Sequence, residues 1–197
     1  MRAILAWPRA YRIFGNLVGG PHARAILVRD HLKPEPGQRV LDLGCGTGEL
    51  ADNLVGFDYV GVEPHEPYVR RARALHPSAQ FECTRIEDYT TQPGAFDLAV
   101  ACGVLHHLDD DTALTLLRAA RASLKPNGRL ITLDGCFMPE QRAVVRWLLS
   151  MDRGRYVRTP EHYRRLAQSV FPSVQPSLRQ DLLRIPYTHL ILSCTRD

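Results

Sequence analysis

Apolar positions along the chain recur with two different periods. Tyr11, Phe14, Leu17 and Val18, then Ala23, Ile26 and Leu27, fall at helical spacing, and Gly-Gly-Pro at 19–21 interrupts them, which predicts two short helices joined by a turn. After a loop over 33–38 that holds two prolines and a glycine, continuous apolar runs alternate with amphipathic stretches. Strands are predicted over 39–43, 59–62, 80–83, 96–101 and 129–133. Helices are predicted over 48–54, from Pro67 onward, and over 111–124, the last ending at Lys-Pro-Asn-Gly. Strands that are apolar throughout belong to a parallel sheet covered on both faces.

Beyond residue 135 the rhythm changes. Residues 139–151 and 160–170 read as helices around a polar loop, and 182–185 and 189–194 read as strands on either side of Pro186. Strands so close together leave no room for a crossover helix and pair antiparallel. The expected fold class is α/β: a doubly wound, mostly parallel seven-stranded sheet with helices on both faces and a C-terminal antiparallel hairpin. The chain of 197 residues has no repeat, low-complexity segment or linker, so residues 1–197 are expected to form one domain.

Composition narrows the class. No run of eighteen apolar residues occurs, and the first residues carry two arginines by position 9 and a proline where a signal peptide would be apolar, so neither a membrane span nor a leader is expected. The five cysteines, Cys45, Cys83, Cys102, Cys136 and Cys194, are odd in number and widely separated, which fits a reducing cytoplasm better than a disulfide framework or a zinc site. A net charge of +4 is too small to imply nucleic acid, but its distribution is uneven: residues 135–190 hold nine arginines against four acids.

The stretch VLDLGCGTGE at 40–49 concentrates backbone freedom at the end of the first strand, where open parallel sheets bind their ligands. About 20 residues further on, YVGVEP sets Glu63 at the end of the second strand, placed to accept from ribose hydroxyls. A dinucleotide site shares this geometry, but its fingerprint is GxGxxG and it must receive a pyrophosphate. Here Asp42 precedes the glycines, and a carboxylate there suits a nucleoside with an ammonium-bearing tail better than a polyphosphate.

VLDLGCGTGEL, the acid of YVGVEP, FDLAVACGVLHHLDD and LLRAARASLKPNGRLITLD together resemble the successive motifs of class I S-adenosylmethionine-dependent methyltransferases of the small-molecule type, over residues 39–134. The terminal hairpin agrees with the reversed last strand of that Rossmann-like methyltransferase fold. The resemblance implies S-adenosylmethionine as cofactor. It puts Asp42 on the ammonium of the methionine tail, directly or through water, with Gly44, Cys45 and Gly46 offering bare main chain and Gly48 open between approach and packing. It puts Glu63 on the ribose, Pro64 beside the adenine, and Cys102 and Gly103 along the methyl donor. Where the family usually has an acid for the adenine amino group this chain has Arg85, followed by Ile86 as backbone donor. Arginine carries no acceptor, so Arg85 either stacks on the purine or points to water, and a loop shifted by a residue would let Glu87 or Asp88 take the acid's place. Residues 1–38 are expected to close the cofactor site, with Tyr11 and Phe14 over the cofactor and Arg24 toward its carboxylate.

For proton chemistry the candidates are His106 and His107. Neighbours on a helical turn diverge by about 100°, so one faces the pocket, with His106 preferred. A histidine takes up a proton near neutral pH. Residues 135–163 read as a cap over the acceptor, in which Arg153, Arg155 and Arg158 flank Tyr156, able to hold a carboxylate or phosphate and stack a ring. Trp147, at helical spacing from Val144 and Met151, reads as core. The reaction expected is methyl transfer to an oxygen or nitrogen of a small-molecule acceptor of anionic or aromatic character, without metal, nucleic acid or membrane. Three alternatives stand beside it: a nicotinamide-dependent oxidoreductase, a methyltransferase acting on RNA or protein, and a non-catalytic cofactor-binding module, which the departure at Arg85 favours.

Overall fold

The apolar runs pair as their composition requires. A computed structural model describes residues 17–151 and 154–197. Its strands are β1 (Arg39–Leu43), β2 (Asp58–Glu63), β3 (Gln80–Cys83), β4 (Phe96–Cys102), β5 (Leu124–Gly135), β6 (Ser173–Arg179) and β7 (His189–Thr195), in one sheet ordered β3-β2-β1-β4-β5-β7-β6. β3 through β5 run parallel, whereas β7 lies antiparallel to both β5 and β6. The helices are α1 (Gly20–Ile26), α2 (Glu66–Leu75), α3 (Asp110–Ser123), α4 (Ala143–Met151) and α5 (Pro160–Gln168). Among the described residues no helix is long and apolar enough to cross a membrane.

Because successive strand residues face opposite ways, a strand apolar throughout feeds two cores. Leu41, Leu43, Val60, Val62, Ala99 and Ala101 supply one face of the sheet. Val40, Tyr59, Leu98, Val100 and Ile131 supply the other. The chain winds outward from β1 through β2 to β3, then returns to β4 on the other side of β1. That reversal opens a crevice beyond the carboxyl ends of β1 and β4, the usual place for a ligand in such sheets.

The structure corrects several expectations. The outer strand of the hairpin is β6, not 182–185. β6 is a polar edge strand that tolerates Pro176 because an edge has a side without ladder bonds. Residues 182–185 instead form an inward-folded loop: Leu182 is fully buried and the Arg184 N–H donates to the Val18 carbonyl at 2.8 Å. The turn expected at Gly-Gly-Pro is present at Gly19, in the left-handed conformation (φ 103°), and Gly20 and Pro21 open α1, where proline suits a first turn. The helix expected over 48–54 is reduced to a 3₁₀ turn at Ala51–Asn53. β5 begins at Leu124, through a register shift opposite Phe96 and Leu98. Trp147 is 56% exposed, because Val145 and Leu149 supply the buried side of α4.

The segment after β5 is a closed excursion. It leaves the sheet at Cys136 and comes back beside its own start at Arg158, the two joined by a bridge and by the Phe137 N–H to the Arg158 carbonyl at 3.1 Å.

Candidate active site

The tips of β1 and β2 are laced together by main chain. The N–H groups of Gly44 and Cys45 both donate to the Val62 carbonyl, at 2.7 and 3.1 Å, and the Gly48 N–H donates to the Cys45 carbonyl at 3.0 Å. Glu63, at the end of β2, accepts from the Gly46 N–H at 3.2 Å and from the His65 N–H at 3.0 Å. Burial raises the Glu63 carboxyl above its ordinary value, opposed by those two amides. Two consequences follow. Glu63 is held across the mouth of the glycine loop, and four amides that a pyrophosphate would need are already engaged. The dinucleotide alternative loses its anion cradle.

The glycines divide their work. A Cβ on Gly44 (φ 80°) would stand 2.6 Å from Val104, and one on Gly48 would stand 3.0 to 3.3 Å from His76, Ala72 and Phe81, so both serve close packing. At Gly46 (φ 57°) the nearest atom to such a Cβ is a Glu49 oxygen at 3.6 Å, which makes it the place where bare main chain faces open space. Cys45 turns inward, its sulfur filling the room left by Gly61, and burial with nearby carboxylates keeps its thiol protonated. Any part it takes in binding is through main chain.

Asp42 is 2% exposed and faces the same core as Val40. The Tyr59 hydroxyl donates to its Oδ2 at 2.5 Å, whereas Oδ1 is buried with no protein partner. Burial pushes its carboxyl up to about 7, against the Tyr59 hydrogen bond and with the help of Glu49 and Glu63. At the end of β4, Cys102 shares this environment. Burial pushes its thiol up to about 12, Asp42, Asp134 and Glu49 add to the rise, and Arg24 opposes it. Cys102 is therefore no thiolate nucleophile. The Arg24 Nε, reaching in from α1, is also buried without a partner. Gly103 (φ 72°) follows, its N–H donating to the Leu133 carbonyl at 2.7 Å.

The two histidine rings lie against each other, centroids 4.1 Å apart, but differ in burial. His107 is on the surface; His106 is buried. Asp134, 2% exposed at the end of β5, offers one oxygen to both the His106 N–H at 3.1 Å and its ring Nδ1 at 2.8 Å. The Asp134 carboxylate is placed to accept a hydrogen from Nδ1, the kind of contact that sets a histidine's tautomer. Burial raises the Asp134 carboxyl, opposed by His106. The ring lies between two glycines, with a Cβ on Gly103 3.7 Å from Cε1 and one on Gly154 only 2.2 Å from Cδ2. The Tyr156 N–H donates to the His106 carbonyl at 2.9 Å, which lays the returning loop over the histidine.

Other sequence candidates fall elsewhere. Arg85 points to water and pairs with Glu87 at 2.9 Å, so neither stacking nor an acceptor for adenine comes from it. Ile86 packs its side chain on the core and opens a turn, while the Pro64 carbonyl faces the Cys83 sulfur at 3.8 Å. Tyr156 stands 41% exposed on the loop. Arg158 is 5% exposed and structural: its guanidinium donates to Asp110 at 2.8 Å and to the carbonyls of Leu105, Tyr156 and Leu108 at 2.7, 3.0 and 2.6 Å. It cannot also hold a substrate anion. Arg153, Tyr11 and Phe14 lie outside the described residues.

The sequence pattern of the methyltransferase domain matches residues 40–128. A ubiquinone biosynthesis O-methyltransferase of Idiomarina loihiensis is 31% identical over 141 residues, covering 68% of this chain and 55% of that protein. The chain carries a methyltransferase domain of the type that uses S-adenosylmethionine. It spans about half the length of the curated relatives it matches, 42% and 55% for two of them. Among solved structures, the YcgJ protein of Bacillus subtilis superposes with a TM-score of 0.72 at 15% identity, covering 89% of this chain and 99% of that one. The [4+2]-cyclase SpnF gives the same TM-score at 16% identity, covering 89% and 81%. Such neighbours share the fold, and the second shows that the fold of a class I methyltransferase also carries cyclase chemistry.

The family's methyl donor is S-adenosylmethionine, and the residues present fit it. Its amino acid tail bears an ammonium and a carboxylate. Around Cys102 the chain has two buried polar atoms without partners and of opposite charge, the Asp42 Oδ1 and the Arg24 Nε. Buried polar atoms ordinarily find partners, and this pair complements a zwitterion. Sequence reasoning missed Asp134 and Tyr59, because each sits within a strand whose neighbours are apolar.

Proposed function

We propose that this methyltransferase passes a methyl group to an oxygen of a small-molecule acceptor, with His106 as general base. The observation that carries the reading is the buried pair of His106 and Asp134 at the tips of β4 and β5, beside Cys102 and Gly103. S-Adenosylmethionine, bound between the tips of β1 and β2, supplies an electrophilic methyl group on a sulfonium. Asp42 and Arg24 hold the amino acid tail, Glu63 the ribose, and Gly46 gives the close approach. His106 Nε2 would accept the proton of the acceptor hydroxyl, leaving the oxygen able to take the methyl group that the bound donor would supply. Asp134 steadies the imidazolium that results. The loop through Gly154 and Tyr156 shields the histidine from water, which strengthens each of these interactions. An oxygen acceptor also suits the O-methyltransferase names of the relatives.

A screen of hydroxylated and amino-bearing aromatic acids, read by mass as gain of one methyl group, tests this. Transfer to hydroxyls is expected, falling about 100-fold or more in His106→Gln, the range of general-base catalysis. Transfer to amines alone, or equal rates in the variant, would refute it.

A further inference from the structure

The buried couple between β1 and β2 does more than fill the core. We propose that Tyr59 is a positioning residue for the cofactor: by holding Asp42 Oδ2, it turns Oδ1 toward the cofactor's ammonium. The inference rests on the reading that Asp42 meets that ammonium.

The geometry is local and specific. Tyr59 is opposite Val40 in the register and Asp42 opposite Gly61, so the phenol reaches one step along the same face to the acid. Gly61 contributes no side chain there, and a Cβ on it would lie 2.7 Å from the Cys45 sulfur and 2.8 Å from the Phe81 ring. Tyr59 is itself 2% exposed and its ring is tilted 57° against Phe81 at 5.7 Å between centroids, which holds the phenol beside Asp42. A buried phenol would be satisfied by a main-chain carbonyl equally well; here it donates at 2.5 Å to one oxygen of an acid whose other oxygen is buried and unpartnered. A hydrogen bond to one carboxylate oxygen fixes the plane of the group and with it the direction of the second oxygen.

The same bond bears on ionisation. Glu49 in the loop, Glu63 on β2 and burial all raise the Asp42 carboxyl, and the Tyr59 hydroxyl is the group that lowers it. Cys45 and Cys102 are neutral neighbours, held protonated by burial, and Arg24 from α1 opposes the rise at Cys102. With the hydroxyl removed, the carboxyl rises and an ammonium finds less negative charge at a given pH.

Calorimetric titration of wild type and Tyr59→Phe with S-adenosylhomocysteine and with methylthioadenosine, which lacks the amino acid tail, separates the possibilities. At pH 7 the variant is expected to lose about tenfold in affinity for S-adenosylhomocysteine and to keep its affinity for methylthioadenosine within about twofold. Between pH 5.5 and 7.5, below the titration of an α-amino group, S-adenosylhomocysteine affinity is expected to rise with pH, with its inflection displaced upward in the variant. Equal losses for both ligands would make Tyr59 merely structural and overturn the proposal, as would no loss for either. Failure of wild type to bind either ligand would instead refute the cofactor site itself. Thermal unfolding of both proteins without ligand confirms that the comparison is between folded chains.

Discussion

Removing the Arg158 guanidinium gives a measurable test of how the segment after β5 is held. Arg158 is nearly fully buried, and it gathers the Leu105 and Leu108 carbonyls around the turn that carries His106, the Tyr156 carbonyl of the returning loop, and the carboxylate of Asp110 at the start of α3. In Arg158→Ala three carbonyls lose their donor. At about 1 kcal/mol for each carbonyl bond, and little from Asp110 because that side chain is half exposed, the loss is about 3 kcal/mol. For a chain of this length each kcal/mol shifts the melting temperature by about 2–4 °C, so a fall of about 6–12 °C is expected in a thermal scan. Arg158→Lys retains charge but not the fork, and an intermediate fall is expected. A shift below about 2 °C in the alanine variant, with a large loss of affinity for an anionic acceptor, would refute the structural assignment and restore the substrate role that the charge pattern suggested.

Three further outcomes are expected. Glu63→Ala removes the carboxylate proposed to take the ribose, and calorimetry with S-adenosylmethionine is expected to show at least about tenfold weaker binding, about 1.4 kcal/mol; unchanged affinity would remove the assignment. Asp42→Asn addresses linkage: a buried acid whose folded value stands near 7 above an unfolded value of 3.8 binds its proton more tightly when folded, so ligand-free stability falls as pH rises between those values. The asparagine variant is therefore expected to flatten that fall in chemical denaturation and to be the more stable protein at pH 8, while binding cofactor less well; a steeper fall in the variant would contradict it. Gly44→Ala sets a methyl group 2.6 Å from Val104 at φ 80°, and a loss of about 2–4 kcal/mol is expected in urea unfolding, with a loss under about 0.5 kcal/mol counting against the packing described.

The parallel strands were legible because burial on both faces leaves a continuous apolar run, and β1, β2, β3 and β4 fall within a residue or so of their sequence bounds. β6 was not, because an edge strand needs neither apolar faces nor a full set of amide donors. Its polar residues and proline hid it, while the apolar residues at 182–185 were a loop turned into the core. Trp147 shows a related limit, since helical spacing says which residues share a face and not which face is inward. That Glu63 lies against the glycine loop was legible because a parallel β1–β2 pair sets their ends side by side, where the Gly46 N–H meets the carboxylate. Arg158 was misread because a cationic side chain looks alike in sequence whether it meets a substrate or three carbonyls. The Tyr59–Asp42 and His106–Asp134 pairs join residues far apart in sequence, and only the sheet register brings them together.

The central claim is that the tips of β1 and β2 jointly hold the methyl donor, and crystals of the chain grown with S-adenosylhomocysteine test it most directly. The expected electron density has the ribose hydroxyls on the Glu63 carboxylate, the ammonium within about 3.2 Å of Asp42 Oδ1 or one water away, and the main chain of Gly46 against the ligand. Density for the nucleoside at any other place on the sheet, or with Glu63 still bonded only to the Gly46 and His65 amides, would contradict it.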